Sequence, residues 1–272
     1  LEPAAQRDAP AGRRAGAGRH GAGGMKITVI TVCLNVRDTI RDALESLVAQ
    51  DYPHIEYVVV DGASTDGTLE IIREYAQHID TLISEPDHGL YDSANKGLRL
   101  ATGDVVGFLH ADDVFAHRGA VSRIAEEFRR TNAECVYGDV DFFDPKDMSK
   151  ITRRFRSGDY RKGSFSAGWH PAHTTFYVKR ELLLEIGGFD EGYRIASDVD
   201  LMMKVMEVHH ARTSWIPEVL VHMRAGGMSN RNLKSVLRAN YECYLALKAN
   251  GLPAPWWFMV GKPLRKVKQL IG

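Results

Sequence analysis

The sequence predicts an α/β protein: a mixed, mainly parallel sheet flanked by helices, followed by a C-terminal helical tail. Three observations carry this expectation. A continuous apolar, β-branched run at Lys26–Leu34 and shorter, mostly apolar runs at Ile55–Val60 and Val105–Leu109 show the pattern of strands buried on both faces. Amphipathic stretches alternate with them, and such alternation means parallel strands joined by right-handed crossovers. The runs end in polar turns at Asn35, Asp61-Gly62 and Asp112-Asp113, where an open α/β sheet gathers its ligands.

The elements follow in order. After the first strand, Asp38 can cap a helix whose Ile40, Ala43, Leu44, Leu47 and Val48 form one apolar stripe. Pro53 closes that connection, and the second strand leads into Asp61-Gly-Ala-Ser-Thr-Asp-Gly-Thr68. This loop is either a polar turn or a nucleotide pocket in which Asp61 bonds a base or ribose. Thr65 or Asp66 then opens a helix with Leu69, Ile72, Tyr75 and Ala76 on one face, and Thr81–Ser84 is a short strand. The segment from Glu85 through Asp87, Asp92, Asn95 and Lys96 to Gly97 merges into a helix reaching Ala101. Lys96 could meet a phosphate, and Asn95 or Asp92 a sugar; a solvated helix lysine is the plainer role for Lys96.

The strand Val105–Leu109 delivers Asp112 and Asp113 into the same crevice. Carboxylates there suit Mg²⁺ or Mn²⁺, which take one or two such ligands beside substrate phosphates. A turn that caps the next helix would use the same residues.

Composition bounds the rest. The chain has 272 residues, 44% hydrophobic and 26% charged, enough for one large domain or two small ones. Lys+Arg and Asp+Glu balance at 35 each, and with no nucleic-acid motif this argues against a nucleic-acid partner. Cys33, Cys135 and Cys243 lack metal-ligand spacing and read as reduced thiols of a cytosolic protein. No run reaches the ~18 apolar residues of a spanning helix. Residues 1–24 are rich in Ala, Gly, Arg and Pro. They read as a disordered leader, a cloning-derived segment or a misplaced start, with Met25 as the functional beginning.

The ordered set of the first strand ending at Asn35, Asp61–Thr68, Asp87-His-Gly-Leu-Tyr-Asp-Ser-Ala-Asn-Lys-Gly97 and Leu109-His-Ala-Asp-Asp113 resembles family 2 of the inverting glycosyltransferases, with the Rossmann-like GT-A fold. His173-Thr-Thr-Phe-Tyr-Val-Lys-Arg180, Gly187-Gly-Phe-Asp190 and Ala196-Ser-Asp-Val-Asp200 extend the match, in particular to bacterial members that build surface polysaccharides and glycolipids. The resemblance implies a glycosyltransferase domain over 25–230, with a nucleotide-sugar half at about 25–130 and an acceptor half at about 131–230. It implies that Asp61 contacts the base, that Asp112, helped by Asp113, lies nearest the metal, and that Asp198 is the general base. Two positions depart from the family pattern. His110 stands where an aspartate is usual, and Ser197 where a glutamate is usual.

In the second half, a helix stripe runs from Ala120 to Phe128, a strand covers Glu134–Phe143, and Asp144–Lys162 is a loop or hairpin of solvated charge. Gly168-Trp-His-Pro-Ala-His-Thr-Thr175 suits a sugar-binding surface, with His173 ahead of His170 because of the family match. Asp198 opens a helix whose Val199, Met202, Met203 and Met206 face a core; it caps that helix or serves as the base, and Asp200 is the alternative base. His222, in a Gly-bearing loop, is a second metal-ligand candidate, and Arg224 a phosphate partner. A helix at 230–249 places Leu233, Val236, Leu237, Tyr241, Tyr244 and Leu245 on one face. Aromatics and basic residues across 253–268 suit an anionic membrane surface.

The expected activity is transfer of a sugar from a UDP-, GDP- or dTDP-linked donor to a glycan or lipid-linked acceptor, with Mn²⁺ or Mg²⁺, in the cytoplasm or on the inner membrane face. The alternatives are a degenerate sugar-nucleotide-binding scaffold, prompted by His110 and Ser197, and a sugar-phosphate nucleotidyltransferase. The nucleotidyltransferase is disfavoured because Asn35-Val-Arg-Asp38 lacks a glycine-rich loop, and a dehydrogenase because no G-x-G-x-x-G follows strand one.

Overall fold

The structure, a computed structural model, describes residues 24–226, 233–255 and 258. The leader expected at 1–24 lies outside these residues apart from Gly24, as do 227–232 and most of the basic-aromatic tail. No described helix is long and apolar enough to cross a membrane.

The fold is α/β, with nine strands in one sheet ordered β3-β2-β1-β4-β8-β6-β9-β5 and β7 paired to β6. The strands are β1 (Ile27–Cys33), β2 (Ile55–Asp61), β3 (Thr81–Ser84), β4 (Val105–Phe108), β5 (Val114–Phe115), β6 (Cys135–Asp144), β7 (Asp147–Phe155), β8 (Tyr177–Lys179) and β9 (Thr213–Arg224). The helices are α1 (Ile40–Val48), α2 (Thr68–Glu74), α3 (Leu90–Leu100), α4 (Ala120–Thr131), α5 (Arg180–Ile186), α6 (Ser197–Met203) and α7 (Leu233–Ala249). The first four strands pair in parallel, as the alternation requires, and β6 pairs parallel to β9. The short β8 is antiparallel to both β4 and β6 and joins the two halves.

Side chains alternate across β1, so both faces are covered. Ile27 and Val29 pack towards Ile40, Leu44 and Ile124. Ile30 and Val32 pack in a second cluster with Leu98, Met202 and Ala246. Gly97 lets α3 lie close on the sheet, for a Cβ there would meet Ile30 Cγ2 at 2.5 Å. At Gly107 on β4 a Cβ would strike the Tyr177 ring at 2.2 Å.

Two local expectations need correction, and one open alternative is decided. Asp38 does not cap α1; Thr39 precedes the helix and no side-chain cap bond forms. The charged stretch after β6 takes its hairpin form, with Arg153 and Phe155 opposite Phe142 and Val140. On α7 the apolar stripe read as one face does not form the core side: Leu237 and Tyr241 are each 53% exposed and Leu245 37%. The buried face runs through Asn240, Cys243, Ala246 and Leu247, and the small Cys243 and Ala246 let α7 approach α6.

Candidate active site

The carboxyl ends of β1 and β4 open into a cleft of about 700 Å³. Beside it lies a cavity of about 370 Å³, lined by Asn35 to Thr39, Asp66, Ala225 and Gly226. Val36, Asp112 and Arg224 line both, so Asp112 stands at the junction.

A tight turn follows β4, in which Asp113 N–H donates to His110 C=O at 3.0 Å. It leaves Asp112 partly exposed and sends Asp113 inward to 2% exposure. One Asp113 oxygen accepts from the Arg224 N–H at 3.2 Å, and the other, buried, has no partner among the described residues. Burial, reinforced by Asp112 and opposed by Arg224, holds its pKa well above the usual carboxylate range. Arg224 itself is engaged, with Nη2 2.9 Å from Asp42 and Nη1 donating to Pro145 C=O.

Across the cleft, Asp198 lies in the first turn of α6. Its Oδ1 accepts from the Val199 N–H at 2.8 Å, and its Oδ2 lies 3.5 Å from His173 Nδ1. The His173 ring meets His110 edge-on, with centroids 5.1 Å apart. A third of the His173 side chain opens to the cleft (33%), yet desolvation lowers its pKa to about 4, against a smaller opposing effect of Asp112. Desolvation, followed by His173, does the same to His110, also to about 4. Both rings are therefore neutral at pH 7, so the 3.5 Å contact is not an ion pair.

Of the residues singled out from sequence, Asp87, His110, Asp112, Asp113, His170, His173, Asp198 and Arg224 line this one cleft. Asp87 is held by Gly89 N–H and Ser93 Oγ. The others are drawn elsewhere. Asp61 ends β2 on the same edge, but it is fully buried, and its Oδ2 accepts from Ser64 N–H and Ser84 Oγ. Lys96 Nζ donates to Pro86 C=O and pairs with Glu85 and Asp92, knitting its own loop. The His88 N–H, and then Lys96, holds Asp92 below the usual carboxylate range. Asn95 bonds both Phe189 N–H and C=O, and Glu191, bracing the turn after α5. Asp200 is 1% exposed and binds Lys204 and Asn250, so it pins α6 to α7 instead of facing the cleft. His222 lies on β9, not in a loop, and is absent from the lining around Asp112; burial lowers its pKa, Asp141 opposing. Sequence reasoning passed over Arg153 and Phe155, which also line the cleft. Their alternation along β7 was the available signal, hidden by the surrounding charge.

A mixed sheet with a carboxylate-lined cleft at its carboxyl edge is the GT-A architecture of glycosyltransferases. The chain belongs to Glycosyl transferase family 2, whose pattern matches residues 28–195. It is 29% identical over 208 residues to a PGL/p-HBAD biosynthesis glycosyltransferase of Mycobacterium bovis (strain BCG / Pasteur 1173P2), covering 75% of this chain and 78% of the relative. The fold aligns over 90% of this chain with 73% of S. aureus TarS 1-349 in complex with UDP-GlcNAc, at a TM-score of 0.64 and 18% identity. It aligns equally with 70% of the mannosyltransferase PcManGT from Pyrobaculum calidifontis in complex with GDP-Man and Mn²⁺, at a TM-score of 0.63 and 24% identity.

Proposed function

We propose that this glycosyltransferase is inverting and metal-dependent, and moves a sugar from a nucleotide-diphosphate sugar to a hydroxyl of a glycan or lipid-linked acceptor. The products would be surface polysaccharide or glycolipid; the mycobacterial relative is named for PGL/p-HBAD biosynthesis. The observation that carries this reading is that Asp112 and Asp198 face a single cleft.

In this reading Asp112 points to the diphosphate and Asp198 to the acceptor. Among the described residues no group of three or more His, Cys, Asp or Glu could hold a metal. One or two carboxylates nevertheless fit a hard cation that takes its remaining ligands from phosphate and water. The partnerless buried oxygen of Asp113 beside Asp112 suits the same charge. Bound there, a divalent cation would neutralise the charge growing on the leaving diphosphate. Asp198 accepts the acceptor's proton as its oxygen attacks the anomeric carbon. The bond to the diphosphate breaks with its electron pair leaving on phosphate, and configuration inverts in one displacement. His173, neutral and 3.5 Å away, orients the Asp198 carboxylate.

General-base help contributes about 10²–10⁴-fold, so Asp198→Asn is expected to lower turnover by that order while donor binding persists. The assay is transfer from UDP-, GDP- and dTDP-sugars in Mn²⁺, with the anomeric configuration of the product read by NMR. Undiminished turnover in the variant, or a retained configuration, overturns the assignment. Donor binding without transfer by the unaltered protein would mark a scaffold.

A further inference from the structure

The hairpin wall of the cleft carries a charge that this reaction does not use. Phe142 pairs with Arg153 and with Met223, and Val140 with Phe155. Alternation along each strand puts these five residues on one side of the sheet, and all five line the cleft. Arg153 is the single charged member of this otherwise apolar face. Its guanidinium carbon lies 3.7 Å from the centroid of the Phe142 ring.

The neighbouring arginines of the cleft are already paired. Arg156 contacts Asp141 at 2.7 Å and Asp139 at 3.6 Å, and Arg224 contacts Asp42 at 2.9 Å. Arg153 has no such carboxylate among the described residues; burial lowers its pKa and no acid raises it. A half-buried cation without a counter-ion is unfavourable, and stacking on one ring offsets only part of that cost. The stack also fixes the plane of the guanidinium, leaving its N–H fork ready for an oxyanion of matching geometry.

We propose that Arg153, backed by Phe142, is an acceptor-side anchor for an oxyanion, so that the acceptor carries a phosphate ester or carboxylate joined to an apolar portion. The apolar portion lies against Phe142, Phe155 and Met223. This rests on the reading of the cleft as the acceptor site. It adds that the acceptor is anionic and amphipathic rather than a neutral sugar alone.

Binding tests this without turnover. Phenyl phosphate, benzoate and phenol are titrated into the full chain by ligand-observed NMR in EDTA, so that no anion is held through a cation. At least one of the two anions should bind about tenfold or more tighter than phenol, as a charge-assisted pair implies. Arg153→Gln should abolish that advantage and Arg153→Lys keep part of it. Arg154→Gln, which removes the same charge from the opposite face of the strand, should leave it intact. Anions that bind no better than phenol overturn the proposal. So does an advantage that survives Arg153→Gln, or that Arg154→Gln removes equally. Sedimentation with vesicles containing about one-third phosphatidylglycerol separates the sources. Retention that falls in Arg153→Gln assigns the oxyanion to a membrane lipid. Unchanged retention with lost probe binding assigns it to a soluble acceptor. Titration of UDP with Mn²⁺ in parallel reports the donor site; its failure would count against the transferase reading and leave the Arg153 result standing.

Discussion

Glu56→Gln perturbs the amino end of the sheet, far from the cleft. Glu56 is 5% exposed on β2. Its carboxylate takes Lys26 Nζ at 2.7 Å and Thr102 N–H at 2.7 Å, together with the hydroxyls of Thr28 and Thr102. One side chain thus ties β1, β2 and the turn before β4. Burial alone would raise its pKa, but these donors outweigh burial and hold it at about 2, against 4.5 ordinarily. A folded pKa below the unfolded one stabilises the fold above the unfolded value, and that stability is lost as pH falls through the folded value. At 1.36 kcal/mol per unit the contribution at pH 7 is about 3 kcal/mol. By about pH 3 less than half of it remains. Urea unfolding of the two proteins between pH 7 and 3 measures the difference. Glu56→Gln should be less stable by about that amount at pH 7, and the gap should narrow towards acid. A gap under about 0.5 kcal/mol at neutral pH, or one that does not change with pH, refutes the reasoning.

Asp112→Ala is expected to weaken nucleotide-sugar binding and abolish its response to Mn²⁺, read by calorimetry; normal affinity with a normal metal response would move the cation site elsewhere. Asn95→Ala removes three bonds to the turn at Phe189 and Glu191. It should lower stability by about 2–3 kcal/mol in urea unfolding, with donor affinity intact. A lost donor affinity at full stability would return Asn95 to the sugar site. Glu242→Gln should lower kcat more than it changes KM, because this carboxylate secures the segment that enters α6. An unaltered kcat in a destabilised protein would show that the tie serves the fold alone.

The strands and most helices were legible because each rests on a local period: β-branched runs for β1, β2 and β4, and the stripe from Ala120 to Phe128 for α4. The candidate site was legible where backbone position alone decides it. Asp112 follows a buried strand, and a buried strand of an α/β sheet delivers its next residues to the carboxyl edge. It was illegible where side chains choose among partners. Asn95, Lys96 and Asp200 have functional chemistry, yet each is satisfied by a neighbour that periodicity does not reveal: Phe189, Glu85 and Asn250. The face of α7 was misread for a related reason. Large apolar residues at helical spacing look like a core, but the space left beside α6 admits Cys243 and Ala246 in place of Tyr241.

The choice between a capping and a catalytic Asp198 turns on where the amide groups at the start of α6 find acceptors. A helix N-terminus leaves donors without intrahelical partners, and an acidic residue in the first turn ordinarily takes them. Here Glu242, from α7, accepts from the N–H groups of Arg194, Ile195 and Ala196 leading into α6, while Arg238 and those N–H groups, outweighing burial, keep its pKa low. Tyr91 from α3 donates to Ile195 C=O at 2.7 Å and steadies the same turn. Asp198 accepts the adjacent Val199 N–H with Oδ1, and its Oδ2 lies 3.5 Å from His173 Nδ1 at the cleft. The tie from α7 therefore takes over much of the work of anchoring this turn. That division leaves one oxygen of a first-turn aspartate at the cleft, where the proposed role of general base would need it.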